Sequence, residues 1–488
     1  MATTPTTPEE WLPILTARLD ANNPKYRLLT RYVNGDAPLP EMGANVRQSW
    51  VKFQRMSRTN WGELIRDAVV DRIVPNGILI KGKNDSPEAL QAKRIWRDNR
   101  LDTVFKDWLR YGLTYGHSYL TVWRGDDGKA VVTADAPDTM WAATDPLQPW
   151  RVRAAIRWWR DKDAKMDYAM VWTKTAWQRF SRSIYVDPNT AQLGPIWTAA
   201  KGKWDADGPA VPTLSDDPPV VVFTNPGNCG EFENHIDLIN RINNGTLQIL
   251  AITAMQAFRQ RGIKGGLLPQ KDDQGNDIDW TKVFEAAPGA LWNLPEGLDI
   301  WESQQTDVGP LLMEAKDHIR QLSAVTRTPF STLIPDSANQ SAEGAKETKE
   351  GLIFKSQERL TVAAVGAEAA LVKALAVEGT ELADDQTLEL LFEPVSMVTL
   401  AEKYQAANMA KAAGESWRSI ARNILGYTPE QINQDALDRA DELLAAMAMQ
   451  QQQQAMMTPQ QKPMSGPQEK QPAVNAPKPN GSAVANGR

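Results

Sequence analysis

Apolar residues recur at helical spacing through most of this chain, and the stretch from 309 to 327 adds a sorted charge pattern. Leu312, Ala315, Ile319 and Leu322 repeat on one face. Lys316, Arg320, Ser323 and Arg327, at spacings of four, three and four, stack in a narrow stripe on a second face. Glu314, Asp317 and Gln321 fall on a third. At roughly 100° per residue, three such sectors exceed what packing on a single core requires. A helix so divided suits one that packs beside copies of itself and presents its remaining face to something anionic. A loop at 328–340 then leads to a very long helix, 341–377, closed by Gly379, in which Gly351 and Gly366 are interior points for a bend.

Upstream, residues 7–20 predict a helix carrying Trp11, Leu12, Leu15 and Leu19 after a Thr-Pro-Glu-Glu start, with Pro13 interrupting the pattern. Residues 45–73 are also helical in pattern, and 87–115 should be two helices. The texture changes at Gly116. Residues 118–123, a turn at 124–129 and residues 130–133 predict a β-hairpin. Further strands are expected at 152–160, 168–173, 176–180, 196–198 and 220–223. A long helix at 233–260 follows, then a turn-rich acidic segment. Helices are expected again at 398–425 and 429–449. Beyond 450 the chain is Gln-, Pro- and Gly-rich and should be disordered. The fold class expected is α+β, mainly helical.

A chain of 488 residues suffices for two or three domains. Its net charge of −6 argues against a protein whose whole surface grips nucleic acid. The single cysteine, Cys229, excludes an internal disulfide and a thiolate metal cluster. The N-terminal residues show no signal peptide, and no uncharged apolar stretch approaches about twenty residues, so a soluble protein without a membrane partner is expected. Charge is uneven. Residues 93–204 are basic on balance, with Arg151, Arg153, Arg157 and Arg160 close together, whereas 271–307 are acidic. Eleven of the eighteen tryptophans lie between 96 and 204, where they fill a thin β layer in place of aliphatic residues.

Candidate chemistry is sparse. His117, His235 and His318 are isolated, with His117 expected in a structural, hydrogen-bonded role. There is no Walker-type loop and no metal-ligand spacing. The expectation is a protein that is not an enzyme and takes neither cofactor nor metal. The basic stripe has two readings, ion pairing between subunits or contact with nucleic-acid phosphates, which carry no sequence information.

Tyr32-Val33-Asn34-Gly35-Asp36-Ala37-Pro38-Leu39-Pro40 and Tyr115-Gly116-His117-Ser118-Tyr119-Leu120 carry a family resemblance, as do residues 218–223 with the helix at 234–243 and the run 257–265. The strongest match is Ile319-Arg320-Gln321-Leu322-Ser323-Ala324-Val325-Thr326-Arg327-Thr328-Pro329, a loop, then Ser341-Ala342-Glu343-Gly344-Ala345. In this order the chain resembles the portal proteins, or head-to-tail connectors, of tailed double-stranded DNA bacteriophages, particularly long-tailed ones, from Trp11 to Met449. That family's loop is often Gly-rich, whereas this one reads Pro335-Asp336-Ser337-Ala338-Asn339-Gln340.

The resemblance implies a wing (1–232), a first stem helix (233–261), a clip (262–308), a second stem helix (309–327) and a tunnel loop (328–340). A long wing helix with a following strand (341–397), a helical crown (398–449) and a disordered tail (450–488) complete it. It implies a ring of usually about twelve subunits, a dodecamer, in the virion at one capsid vertex, and in the host cytoplasm during assembly. The ring would conduct double-stranded DNA without sequence specificity during packaging, retention and ejection. Expected channel-facing residues are Lys316, Arg320, Ser323 and Arg327 on the stem, with Ser337, Asn339 and Gln340 on the loop. Lys271, Asp272, Asp273, Asp277 and Trp280 would dock the terminase large subunit and head-completion or adaptor proteins. Capsid and scaffolding proteins are further expected partners. The rivals are a shell or tail-connector protein without a DNA channel and a nucleic-acid-processing hydrolase.

Overall fold

Helix α1 (Pro8–Val33) opens a computed structural model that describes residues 5–40, 48–81, 83, 86–184, 203–213, 217–257, 261–265, 270–271, 274–275, 277, 279, 299–302, 306–335, 342–383, 385–396 and 400–457. Thr7 Oγ1 accepts from the Glu10 N–H at 3.4 Å, and a Glu10 carboxylate oxygen accepts from the Thr7 N–H at 3.2 Å. Pro8 sits where no helical N–H is needed. The helix does not stop near Asp20 but runs for 26 residues, past both Pro13 and Pro24. Leu15, Leu19, Tyr26, Leu29 and Tyr32 keep its buried face continuous, so packing offsets the hydrogen bonds that the prolines remove. Residues 45–73 contain two helices, α2 (Gln48–Met56) and α3 (Trp61–Val70). Asn60 starts the second by accepting from the Glu63 N–H at 3.4 Å.

Strand β1 (Pro75–Ile80) follows, then the expected helix pair α4 (Pro87–Asp98) and α5 (Leu101–Tyr115). Gly116, at φ 92°, closes α5 in a conformation that a side chain would strain. The predicted hairpin is β2 (His117–Arg124) and β3 (Ala130–Asp135). Next come β4 (Met140–Thr144), β5 (Val152–Asp161), β6 (Met166–Thr173), β7 (Ala176–Ser183), β8 (Asp205–Ala206), β9 (Val211–Pro212) and β10 (Val220–Thr224). The strand expected at 196–198 lies outside the described residues. Antiparallel pairing makes one sheet in the order β10-β2-β3 and another in the order β4-β5-β6-β7-β8, with β9 also on β7.

A short 3₁₀ turn (Glu233–His235) leads into α6 (Ile236–Ala257), then β11 (Arg261–Lys264) and β12 (Asp299–Glu302), which pair antiparallel. Helix α7 (Gly309–Thr326), the one-turn α8 (Phe330–Leu333) and the 36-residue α9 (Ala342–Val377) come next. Strand β13 (Leu388–Phe392) returns to pair with β1. The chain ends in α10 (Leu400–Ala412), α11 (Trp417–Ile420) with a π turn at Ala421–Leu425, and α12 (Pro429–Met457). The mixture is α+β, the class expected.

Met1–Pro429 and Glu430–Arg488 are separate compact units. The first holds the cores. One gathers around Trp108, with Phe105, Leu109, Leu113, Phe223, Ala363, Ala367, Leu371 and Leu375. Here Gly366 is a contact point: a Cβ on it would lie 2.6 Å from the Trp108 ring, which is fully buried. Residues Lys349–Val377 of α9 are long and apolar enough, by length and composition, to cross a membrane. Their packing on Trp108 makes them a core helix, yet only 33% of the most apolar window is buried. A second core sets Trp11, Leu12, Leu15 and Leu19 of α1 against Ile156, Trp158, Val171 and Phe180 of the larger sheet. Trp172 packs on that sheet's other side, with Tyr119 and Val220. These tryptophans do fill the β layer. Trp150, by contrast, is 76% exposed. The second unit contains nearly all of α12, on which Leu437, Leu443, Leu444, Met447 and Met449 are exposed.

Candidate functional site

Helix α7 begins at Gly309, whose N–H is held by Asp307 Oδ1 at 2.9 Å, with Pro310 in its first turn. It lies antiparallel to α6. Arg241, early in α6, donates to Gln321 Oε1, late in α7, at 2.6 Å, while the Gln256 side chain at the far end of α6 donates to the Thr306 carbonyl. Two of the expected apolar positions, Ile319 and Leu322, are buried against Tyr26, Leu29, Tyr32, Phe232 and Ile239. Leu312 is 48% exposed, and Met313 and Val325 are also exposed.

The basic residues separate by role. Lys316, Arg320 and Arg327 are exposed. Arg320 pairs with Asp317 at 3.3 Å and carries its guanidinium 5.7 Å from the Phe330 ring centroid. From Lys316 to Arg327 the helix rises about 16 Å. Ser323 is half-buried, and its hydroxyl donates to the Thr328 carbonyl at 2.6 Å. It therefore satisfies the backbone at the helix end, while Arg327 takes the left-handed conformation that terminates it. Ser337, Asn339 and Gln340 lie outside the described residues, as do Asp272, Asp273 and Trp280. Lys271 and Asp277 face each other in an isolated antiparallel bridge.

What fixes this end of α7 is a buried charge cluster that the sequence did not reveal. Lys355 of α9 donates to the Thr326 carbonyl at 2.7 Å and pairs with Glu231 at 3.2 Å, both side chains being only 4% exposed. Arg359, one helical turn on, pairs with the same carboxylate at 2.9 Å, and the Asn225 amide donates to it at 3.1 Å. Burial opposes ionisation of Glu231, but Lys355 and Arg359 outweigh it and hold the carboxyl below its ordinary 4.5. Lys355 and Arg359 share the buried Glu231 carboxylate, while Glu358 reaches Arg359 from the surface at 2.5 Å. Burial, with Arg359 and Arg327 nearby, lowers Lys355 from its usual range. The signal for this cluster was present: 355 and 359 share the face of α9 that carries Leu352 and Ala363, a core face by periodicity.

His117 sits apart, in an aromatic nest. Tyr26 Oη lies 3.0 Å from its Nε2, and Tyr26, Tyr119 and Trp141 contact the ring edge to face. Burial, reinforced by Lys25, lowers its pKa to about 4, so the ring is neutral at pH 7. This is a satisfied core histidine. Among the described residues no group of His, Cys, Asp or Glu side chains is placed to hold a metal ion.

Residues 14–453 match the family described as phage portal protein, SPP1 Gp6-like. No curated protein matches the chain. Among solved structures, a chain of the virion of a native gene transfer agent particle is 13% identical, with 82% of this chain and 99% of that one covered and a TM-score of 0.44. A chain from the neck of an empty particle of the same kind is also 13% identical, covering 83% and 94%, with a TM-score of 0.45.

Proposed function

Because the chain belongs to the phage portal proteins of the SPP1 Gp6-like family, we propose that it closes into a ring of about twelve copies at one capsid vertex. Double-stranded DNA would pass through that ring during packaging, retention and ejection. The observation that carries this reading is α7. Lys316, Arg320 and Arg327 lie exposed along one helix, and the end of that helix is fixed by the Glu231–Lys355–Arg359 cluster. Repeated around an axis, such a helix offers phosphates a rigid, sequence-blind lining. The acidic balance of the whole chain keeps that adhesion weak, which suits a strand that must slide.

A second observation supports closure. Phe354, Val365 and Val372 of α9 are 68%, 64% and 39% exposed on a helix otherwise rich in alanine and leucine. Neighbouring copies would cover this strip, as obligate interfaces do. Residues 262–308 are the proposed dock for the terminase large subunit and then for head-completion or adaptor proteins. Capsid and scaffolding proteins would surround the rim, and the protein itself performs no covalent chemistry.

Purified protein should give rings in negative-stain images. Rings carrying Lys316→Gln, Arg320→Gln and Arg327→Gln together should still assemble but hold DNA less tightly and with a shallower salt dependence. Assembly without a central opening, or rings whose DNA binding ignores these three changes, would favour a connector without a DNA channel.

A further inference from the structure

The connection between β4 and β5 presents two large apolar side chains that contribute nothing to this chain's own core. Leu147 is 89% exposed and Trp150 is 76% exposed. The tip is nonetheless stiff. Asp145 Oδ1 accepts from the N–H groups of Leu147 and Gln148 at 2.8 and 3.3 Å. The Asp145 N–H donates to the Arg151 carbonyl at 2.9 Å, and Arg151 N–H donates to the Gln148 carbonyl at 2.8 Å. Pro146 and Pro149 restrict the remaining backbone. A rigid turn that holds an indole out in water resembles the anchor residues that dominate interfaces.

Toward the other end of the same sheet is an open cleft of about 600 Å³ between α1 and the later parts of β5 and β7. Its lining includes Leu12, Trp158, Phe180 and Trp204. The Arg182 guanidinium stacks 4.3 Å from the Trp204 ring centroid and is itself held by Asp167 at 3.6 Å, which fixes that wall. Glu9 and Asp205, both exposed, also line it. The volume admits an indole together with an isobutyl group. From Val152 to Trp158 strand β5 advances roughly 20 Å, so the tip cannot reach the cleft of its own chain.

We propose that the Leu147–Trp150 tip of one copy fills the α1–sheet cleft of the next, head to tail around the ring. The exposed Arg151 beside the tip meets a rim on which the carboxylates of Glu9 and Asp205, with half-buried Asp20 behind them, outnumber the one exposed cation among the described lining residues, Lys203. A contact that joins two different patches, one per end of the sheet, repeats in one direction and closes only as a ring or runs on as a filament. It rests on the ring reading above and adds a specific joint to it.

The test uses the full chain with Cys229→Ser, so that added thiols are the only ones. Ala17→Cys, in the cleft, and Gln148→Cys, on the tip beside the retained Trp150, are combined and treated with a short bis-maleimide. The expected result is a covalent ladder extending to the complete ring, with no ladder from either single variant. Separately, Trp150→Ala should weaken subunit association by on the order of ten- to a hundredfold, and Trp150→Phe should restore most of it. Normal wild-type rings without a ladder, and with Trp150→Ala associating normally, would overturn the joint and leave the ring standing. Dimers from Gln148→Cys alone would overturn it in favour of a two-fold contact. Trp150→Ala rings that form normally but fail to enter capsids would overturn it in favour of docking to another protein. Wild-type protein that forms no rings would overturn the reading beneath it.

Discussion

Replacing Glu231 with Gln removes one negative charge, taking from buried Lys355 its carboxylate partner and leaving Arg359 only Glu358, whose side chain is 54% exposed. Lys355 is 3% exposed, and the Arg359 side chain is 11% exposed. At 3.2 and 2.9 Å, in an effective dielectric of about 20, the two pairs represent gross attractions of about 5 and about 6 kcal/mol. Desolvation of three ions cancels most of this, so the pairs add little over an apolar cluster of the same shape. Breaking them is a different matter, because the cations stay buried. The expected cost of Glu231→Gln is about 3–5 kcal/mol. Lys355→Met takes away one of the two cations instead. Glu231 keeps Arg359 and Asn225, while the Thr326 carbonyl loses its donor, for about 1–3 kcal/mol. The rank order is therefore Glu231→Gln worse than Lys355→Met, and the double variant should cost less than the two changes added together. Urea midpoints, with hydrogen exchange followed in peptides covering residues 224–232 and 322–330, measure this. If Glu231→Gln falls within about 1 kcal/mol of wild type, or costs less than Lys355→Met, the reasoning fails.

Gly366→Ala should lose about 1–3 kcal/mol, read as a lowered melting temperature, because the new methyl group would meet the buried Trp108 ring. Folded His117 titrates near 4 against an ordinary 6.5, so the unfolded chain takes up its proton first. Stability from this group is complete above 6.5 and lost as pH falls toward 4, by about 2–3 kcal/mol. The difference between the stability–pH curves of wild type and His117→Gln should show that loss. Glu231 has the carboxylate sign: its contribution is present above pH 4.5 and lost as acid titrates it below that value, a step that Glu231→Gln should abolish.

Helices with a clean apolar period were legible in the sequence, as α4, α5, α6 and α7 show, and so was the hairpin with its Gly-Asp-Asp-Gly turn. The misreadings have local causes. The helix expected to end at residue 20 continues because Tyr26, Leu29 and Tyr32 find partners in the core and carry α1 past Pro24. Strand β1 is six residues long and pairs with a strand far later in the chain, a partner that no window can see. Gly366 reads as a weak point in a helix until Trp108 is known to lie against it. The exposed basic residues of α7 could be listed from spacing alone. Ser323 could not be set apart from them, because its role at the helix end depends on the carbonyl of Thr328. Charge pattern shows that Lys355 and Arg359 share a face, but only the fold supplies the carboxylate between them.

An electron-microscopy reconstruction of the assembled particle, at a resolution that shows side chains, examines the decisive point. Copies of α7 should surround an open axis wide enough for duplex DNA, with Lys316, Arg320 and Arg327 directed into it. A closed centre, or α7 enclosed by other subunits away from any opening, would contradict the account.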